Sequence, residues 1–248
     1  MRLFLVSVLA LAAIWFGLVD NSWLDRRPVH RLLFIGHSLT YYNDMPAMVG
    51  RMADSADSPI RLDITMSAFP NAGLDNHWNN RRTRELLAQG GWDRVIAQPE
   101  RSYDPLGPDS RFHFYAEKLL AGTGREPPAI IISPQPSNDY YRQSNRTTSR
   151  WDDGQIVQDN LRAVAIAVGA DVIDVAGIWE RVRSEELPFS LYKDGNHPSL
   201  EGSYLMALVV YAKLTRSGVK NVSYVPRGMS GEDAELLRTR VQLALSDY

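Results

Sequence analysis

The sequence predicts an α/β protein built on one parallel sheet. Three observations predict it. Short runs rich in aliphatic and β-branched residues alternate with longer amphipathic ones. The short runs have the make-up of strands buried on both faces, which covering helices impose on a parallel sheet. The first three runs each lead directly into a stretch carrying glycine or polar side chains, where such sheets collect their functional groups.

The elements follow in order. Arg31–Ile35 is the first strand, with Leu32-Leu33-Phe34-Ile35 as its apolar body, and Met45–Ala56 is the helix that returns from it. Leu62–Ser67 is the second strand and Leu74–Gln89 its helix; Arg94–Gln98 is the third, with Ser110–Ala121 after it. Ala129–Ser133 is a fourth, with Ile130-Ile131-Ile132 at its centre, followed by a helix over Gln155–Val168. Asp171–Asp174 is the fifth, and Ala176–Arg183, Ser199–Arg216 and Glu232–Ser246 are helices. Parallel neighbours joined by helices imply right-handed crossovers. Two irregular stretches remain: Tyr103–Asp109, rich in Pro and Asp, and the polar Ser133–Arg150, with Tyr140 and Tyr141. Loops of that length commonly shape binding sites.

At 248 residues the chain fits one medium domain. A formal net charge of −2 with no basic block gives no reason to expect nucleic acid as a partner. Cysteine is absent, which excludes disulfides, thiol nucleophiles, cysteine zinc sites and a lipidated N-terminal cysteine. Leu3–Val19 is uncharged and nearly all apolar, and the polar stretch Asp20–Arg27 follows it. No polar stripe interrupts that run, as a surface helix would require. Residues 1–27 are therefore read as a signal peptide or an N-terminal membrane anchor. Ala10-Leu11-Ala12 resembles a cleavage site but comes early, and the run is slightly short of the ~20 residues that span a bilayer. Both readings place the domain, residues 28–248, outside the cytoplasmic membrane, with the membrane contacted only through this segment. Oligomeric state is left open.

Residues beyond the carboxyl ends of parallel strands open onto one crevice. Gly36–Thr40, Ala68–Gly73 and Gln98–Ser102 occupy those positions after the first three strands. Ser38, alone, has the chemistry of a turn or a cap; preceded by Gly36, it also suits a nucleophile projecting past a strand end. His197 lies in Asp194-Gly195-Asn196-His197-Pro198, at the entry of a helix for which Ser199 is the N-cap. Pro198 favours an extended approach for His197. Asp194, three residues earlier, can fold back onto the imidazole Nδ1–H and leave Nε2 free to take a proton. Nucleophile, base and orienting carboxylate are the minimum for acyl transfer through serine. The Ser38 N–H, the Gly73 N–H and the Gln98 amide are candidate donors to an oxyanion.

Tyr41, Tyr42 and Tyr103 fall on the predicted crevice loops and are candidates to line a substrate pocket. Glu100 and Arg101, directly after Gln98, are candidates to touch substrate or to form a surface ion pair. His30, His77 and His113 are scattered without metal-ligand spacing, so neither metal nor cofactor is expected. Trp78 and Trp92 are read as core.

These motifs together resemble the SGNH (GDSL-type) hydrolase superfamily. Its blocks are a nucleophilic Ser after the first strand, a Gly after the second, an amide side chain after the third and Asp-x-x-His near the C-terminus. They read here as Gly36-His37-Ser38-Leu39, Gly73, Gln98 and Asp194-Gly195-Asn196-His197. The resemblance runs from about Arg31 to Arg216 and is strongest to a bacterial branch with Gly-Asn-Ser in the first block. His37 departs from the usual Asp or Asn, and Gln98 from the usual Asn. The resemblance implies a three-layer α/β/α sandwich with a flavodoxin-like parallel sheet of about five strands. It also implies a serine esterase with Ser38, His197 and Asp194 as triad and Ser38, Gly73 and Gln98 as oxyanion hole. The substrate class expected is a small ester or an acylated glycan, with short acyl groups such as acetyl preferred. The alternatives kept are a lipid or thioester hydrolase, an acyltransferase with the same triad, and a non-catalytic carbohydrate-binding domain.

Overall fold

The computed structural model describes residues 25–56, 58–99, 111–143 and 149–246, and of residues 141–143 and 149–156 the backbone alone. In chain order these form β1 (Val29–Gly36), α1 (Ser38–Tyr41), a 3-10 turn (Tyr42–Asp44), α2 (Met45–Ser55), β2 (Arg61–Ala68), α3 (Leu74–Asn79), α4 (Arg81–Gln89) and β3 (Arg94–Ala97). They continue with α5 (Arg111–Leu120), β4 (Ala129–Ile132), α6 (Asn138–Gln143), α7 (Ser149–Ala167), β5 (Asp171–Asp174), α8 (Val175–Arg183), α9 (Leu200–Thr215) and α10 (Gly231–Ser246). The segment 1–24 lies outside the described residues, and so do Glu100, Arg101, Tyr103 and the rest of 100–110.

All five strands are parallel, in the order β2-β1-β3-β4-β5. This is the doubly wound flavodoxin-like order, and the winding reverses between β1 and β3. A crevice opens at such a reversal, outside the carboxyl ends of those two strands. Ser38 follows β1 and Gln98 follows β3, so the topology brings both to that point.

The pleat sorts strand residues into two cores. Leu32, Phe34, Ile96, Ile131 and Ile173 pack with Met45, Met48, Val49 and Met52 of α2, with α8 and α10, and with the nearly fully buried α9. Leu33, Ile35, Val95, Ile130 and Ile132 face the other way, onto Leu74, Leu86, Phe112, Leu119, Leu161 and Val164. Two-sided burial is why Leu32–Ile35, Val95–Ala97 and Ile130–Ile132 are unbroken apolar runs.

Element ends mostly shift by a residue or two, and four differences go further. The helix expected over Leu74–Gln89 is two helices, broken at Asn80, whose backbone is extended (φ −80°, ψ 123°). Asn80 Oδ1 accepts the Thr83 N–H at 3.0 Å and so starts α4, a cap hidden inside an amphipathic stretch. The stretch expected to be irregular over Ser133–Arg150 contains α6, and α7 begins at Ser149 rather than Gln155. The residues after Gly36 form the single-turn helix α1. Trp92 is core, with Nε1 donating to Leu86 O at 2.8 Å. Trp78, expected in the core, is 37% exposed on α3.

Candidate active site

Ser38 sits at the end of a braced strand. A Cβ on Gly36 would lie 1.9 Å from Thr40 Oγ1, so the first block needs glycine there for space. The His37 N–H donates to Thr40 Oγ1 (3.2 Å), Thr40 Oγ1 donates to Gln98 Oε1 (2.6 Å), and Gln98 Nε2 donates to Ser133 Oγ (2.9 Å). Thr40, Gln98 and Ser133 are buried, so this chain of bonds ties the loop after β1 to the ends of β3 and β4. On the other side His77 is fully buried, with Nε2 2.9 Å from Gly36 O and Nδ1 2.9 Å from Thr83 Oγ1. A carbonyl only accepts, so the proton is on Nε2 and Nδ1 accepts from the threonine hydroxyl. Burial lowers the His77 pKa, which keeps the ring neutral.

His197 belongs to a closed turn between Leu191 and Ser199. Tyr192 and Pro198 form an antiparallel bridge, the Lys193 N–H donates to His197 O at 2.9 Å, and the Ser199 N–H donates to Leu191 O at 2.9 Å. Gly195 turns the tip with φ +82°, which a side chain would strain. Asp194 accepts three times: Oδ1 from the N–H groups of Asn196 (3.0 Å) and His197 (2.7 Å), and Oδ2 from His197 Nδ1 (2.8 Å). Burial alone would raise the Asp194 pKa; the bonds from His197 and Asn196 outweigh it, and the carboxyl titrates below its ordinary value. The Nδ1–H bond to a carboxylate leaves Nε2 as the basic nitrogen.

Three elements pin this turn in place. The Ser137 N–H donates to Gly195 O at 2.7 Å. Tyr192 OH donates to Gln135 O at 2.6 Å and accepts from Trp179 Nε1 at 3.0 Å. Ser199 Oγ caps α9 through the Gly202 N–H at 3.0 Å. Sequence reasoning missed Gln135, Ser137, Tyr192 and Trp179. The position of Gln135 and Ser137 just beyond β4, at the same sheet edge, was the available signal.

The two halves meet through residues 42 and 43. The Tyr42 ring stacks on the His197 imidazole with centroids 4.4 Å apart and planes 6° from parallel. Asn43 Nδ2 donates to Ser199 O (3.0 Å) and to Ser203 Oγ (2.9 Å). Among the described residues, Ser38 Oγ and His197 Nε2 do not share a hydrogen bond. Ser38 is half-buried, and the His197 side chain is 25% exposed. Tyr41 leans on Tyr42, with centroids 5.6 Å apart.

The expected oxyanion donors are placed differently from one another. The Ser38 N–H is the first of α1 and takes no part in its helical bonds. The Gly73 N–H donates to Asn76 Oδ1 at 2.9 Å at the start of α3. The Gln98 amide spans Thr40 and Ser133 inside the buried brace. Among the described residues no group of three or more His, Asp or Glu side chains is placed to hold a metal ion.

No protein-family model and no curated protein matches this sequence. Solved structures do match. A DUF4886 family protein from Bacteroides uniformis superposes with a TM-score of 0.66 at 16% identity, covering 88% of this chain and 95% of its own. A candidate SGNH hydrolase from Slackia heliotrinireducens is 26% identical, with a TM-score of 0.58 over 76% of this chain and 100% of its own. An acetylxylan esterase from Geobacillus stearothermophilus is 14% identical, with a TM-score of 0.55 over 81% and 97%. The fold of this chain is that of SGNH-type hydrolases.

Proposed function

We propose that the protein is a carboxylic ester hydrolase that works through an acyl-enzyme on Ser38. The observation that supports this reading is the 2.8 Å bond between Asp194 and His197, with the ring of Tyr42, four residues after Ser38, stacked on the same imidazole. Ser38 Oγ attacks the ester carbonyl carbon and its proton passes to His197 Nε2. Asp194 stabilises the imidazolium that forms. The tetrahedral oxyanion is held first by the Ser38 N–H. The Gly73 N–H joins it by exchanging Asn76 Oδ1 for substrate, and Gln98 supports the site through Thr40. Collapse of the intermediate breaks the ester C–O bond, and the leaving alkoxide takes the proton from His197. Water, deprotonated by His197, then attacks the acyl-enzyme and frees the acid and Ser38.

The substrate we favour is a short acyl ester, acetyl above all, on a carbohydrate. The likeness to an acetylxylan esterase supports it, as does the export expected from residues 1–27, which places the domain beyond the cytoplasmic membrane. Hydrolysis of p-nitrophenyl acetate, butyrate and octanoate, with Ser38→Ala beside the parent protein, tests the reading. Ser38-dependent turnover that falls with chain length is expected. Turnover unchanged in Ser38→Ala would refute the mechanism, and a preference for octanoate would move the substrate to lipid esters.

A further inference from the structure

Asp194 cannot place His197 against Ser38, because both partners of that bond lie on one turn and move together. The bonds from Ser137, Tyr192 and Ser199 fix the turn to the sheet and α9, and contacts that run directly from the segment after β1 to that turn set the imidazole itself relative to the nucleophile. The crossing contacts nearest the imidazole come from two consecutive residues. Tyr42 carries the stack on His197, and its carbonyl oxygen lies 3.4 Å from Ser203 Oγ. Asn43 carries the bonds to Ser199 O and Ser203 Oγ. Lys193 Nζ, from the same turn as His197, lies 5.3 Å from the centre of the Tyr42 ring.

Tyr42 is also tied to the nucleophile. It follows Ser38 by four residues, and its N–H donates to Ser38 O. Side chains four apart on a helical turn are neighbours on one face, with Cβ atoms about 5–6 Å apart. The residue whose ring covers His197 is therefore bonded through its backbone to Ser38, one helical turn away. From this geometry we infer that Tyr42 and Asn43 are positioning residues: together they hold the His197 ring opposite Ser38. This rests on the assignment of Ser38 and His197 given above, and it makes Tyr42 a platform for the base rather than a wall of the substrate pocket.

The physical case has three parts. A parallel stack resists tilting of the imidazole, the motion that the single bond to Asp194 leaves soft. The aromatic face attracts the ring more strongly once it has taken the Ser38 proton, so the same contact serves the charged stage of the reaction. Asn43 and Asp44 both have left-handed backbones, with φ of +52° and +53°. Two such residues in succession turn the chain sharply after Tyr42, and asparagine is among the side chains that tolerate this conformation best. Only a side-chain amide at Asn43 also donates to Ser199 and Ser203.

Three variants test it. Tyr42→Phe keeps the ring, Tyr42→Leu removes it, and Asn43→Gly keeps the left-handed backbone while deleting the bonds to α9. Expected for p-nitrophenyl acetate is a kcat within about threefold of the parent for Tyr42→Phe. For Tyr42→Leu and Asn43→Gly we expect a kcat roughly 10- to 100-fold lower with KM little changed. A parental kcat in Tyr42→Leu, or a loss carried by KM, would overturn the inference. The His197 ring protons provide a readout independent of turnover. In Tyr42→Leu they should lose the upfield shift that a stacked ring imposes, and in Tyr42→Phe they should keep it. Resonances unmoved in Tyr42→Leu would also overturn it. Absence of Ser38-dependent turnover in the parent protein would instead sink the hydrolase reading, and the resonances would decide the platform by themselves.

Discussion

Gly202, in the first turn of α9, is the position where one added methyl should damage both fold and catalysis. A Cβ there would lie 2.1 Å from Leu191 O and 2.7 Å from Trp179 Cη2. Carbon and oxygen in ordinary contact need well over 3 Å, so the Leu191 carbonyl must retreat by about 1 Å. That carbonyl accepts the Ser199 N–H and closes the turn bearing Asp194 and His197. Overpacking of this kind costs about 1–3 kcal/mol. Each kcal/mol lowers the melting temperature of a domain this size by roughly 2–4 °C. A displacement of ~1 Å at the base is worth on the order of 100-fold in rate. Thermal melts by circular dichroism and p-nitrophenyl acetate kinetics on Gly202→Ala read both effects. Gly231→Ala is the control, because a Cβ there meets nothing within 4 Å. If Gly202→Ala melts and turns over like the parent, the packing of α9 against Leu191 does not hold the catalytic turn.

Three further outcomes are expected. Gln98→Leu strands the Thr40 and Ser133 hydroxyls in the buried brace and should cost about 2–4 kcal/mol in urea unfolding; a midpoint equal to the parent's would remove the brace from the account. Asp194→Asn keeps an oxygen for the two backbone N–H groups but presents an amide N–H to Nδ1, which forces the proton onto Nε2. Its kcat should fall by roughly 10³–10⁴ with the melting temperature nearly kept, and a loss under tenfold would contradict the role of the carboxylate. His77 has a lowered pKa in the folded state, so below the ordinary histidine value of 6.5 the unfolded chain binds the extra proton. Stability should therefore fall as pH drops through about 6.5, by up to ~1.4 kcal/mol per pH unit, levelling once the folded ring titrates. Urea midpoints from pH 8 to 5 should show a shallower acid slope in His77→Gln, and equal slopes would rule out this source.

Much of the fold was legible because burial on two faces leaves a direct mark on composition. Leu32–Ile35 and Ile130–Ile132 are apolar throughout because alternate residues enter the two cores. The break at Asn80 was not legible, because one capping side chain inside a helical periodicity looks like any polar surface residue. Trp78 and Trp92 are the same residue type in similar surroundings of sequence, yet one is exposed and the other buried. Only the packing of α3 and α4 against the sheet separates them.

For the site, the chain by itself determined what lies within a turn. Asp194 three residues before His197, Ser199 capping the next helix and Gly36 before Ser38 are local arrangements, set by bond geometry and short-range hydrogen bonding. Tertiary structure alone decided what each remaining group is bonded to in the fold. Gln98 offers the same amide to an oxyanion or to a brace, and the neighbouring Thr40 and Ser133 engage it as a brace. The Gly73 N–H is available in sequence and held by Asn76 in the fold. The stack of Tyr42 on His197 joins residues from opposite ends of the sheet's connectivity. No pattern along the chain encodes that contact; it follows from the packing of α9 against α2, which sets the segment after β1 beside the turn that enters α9.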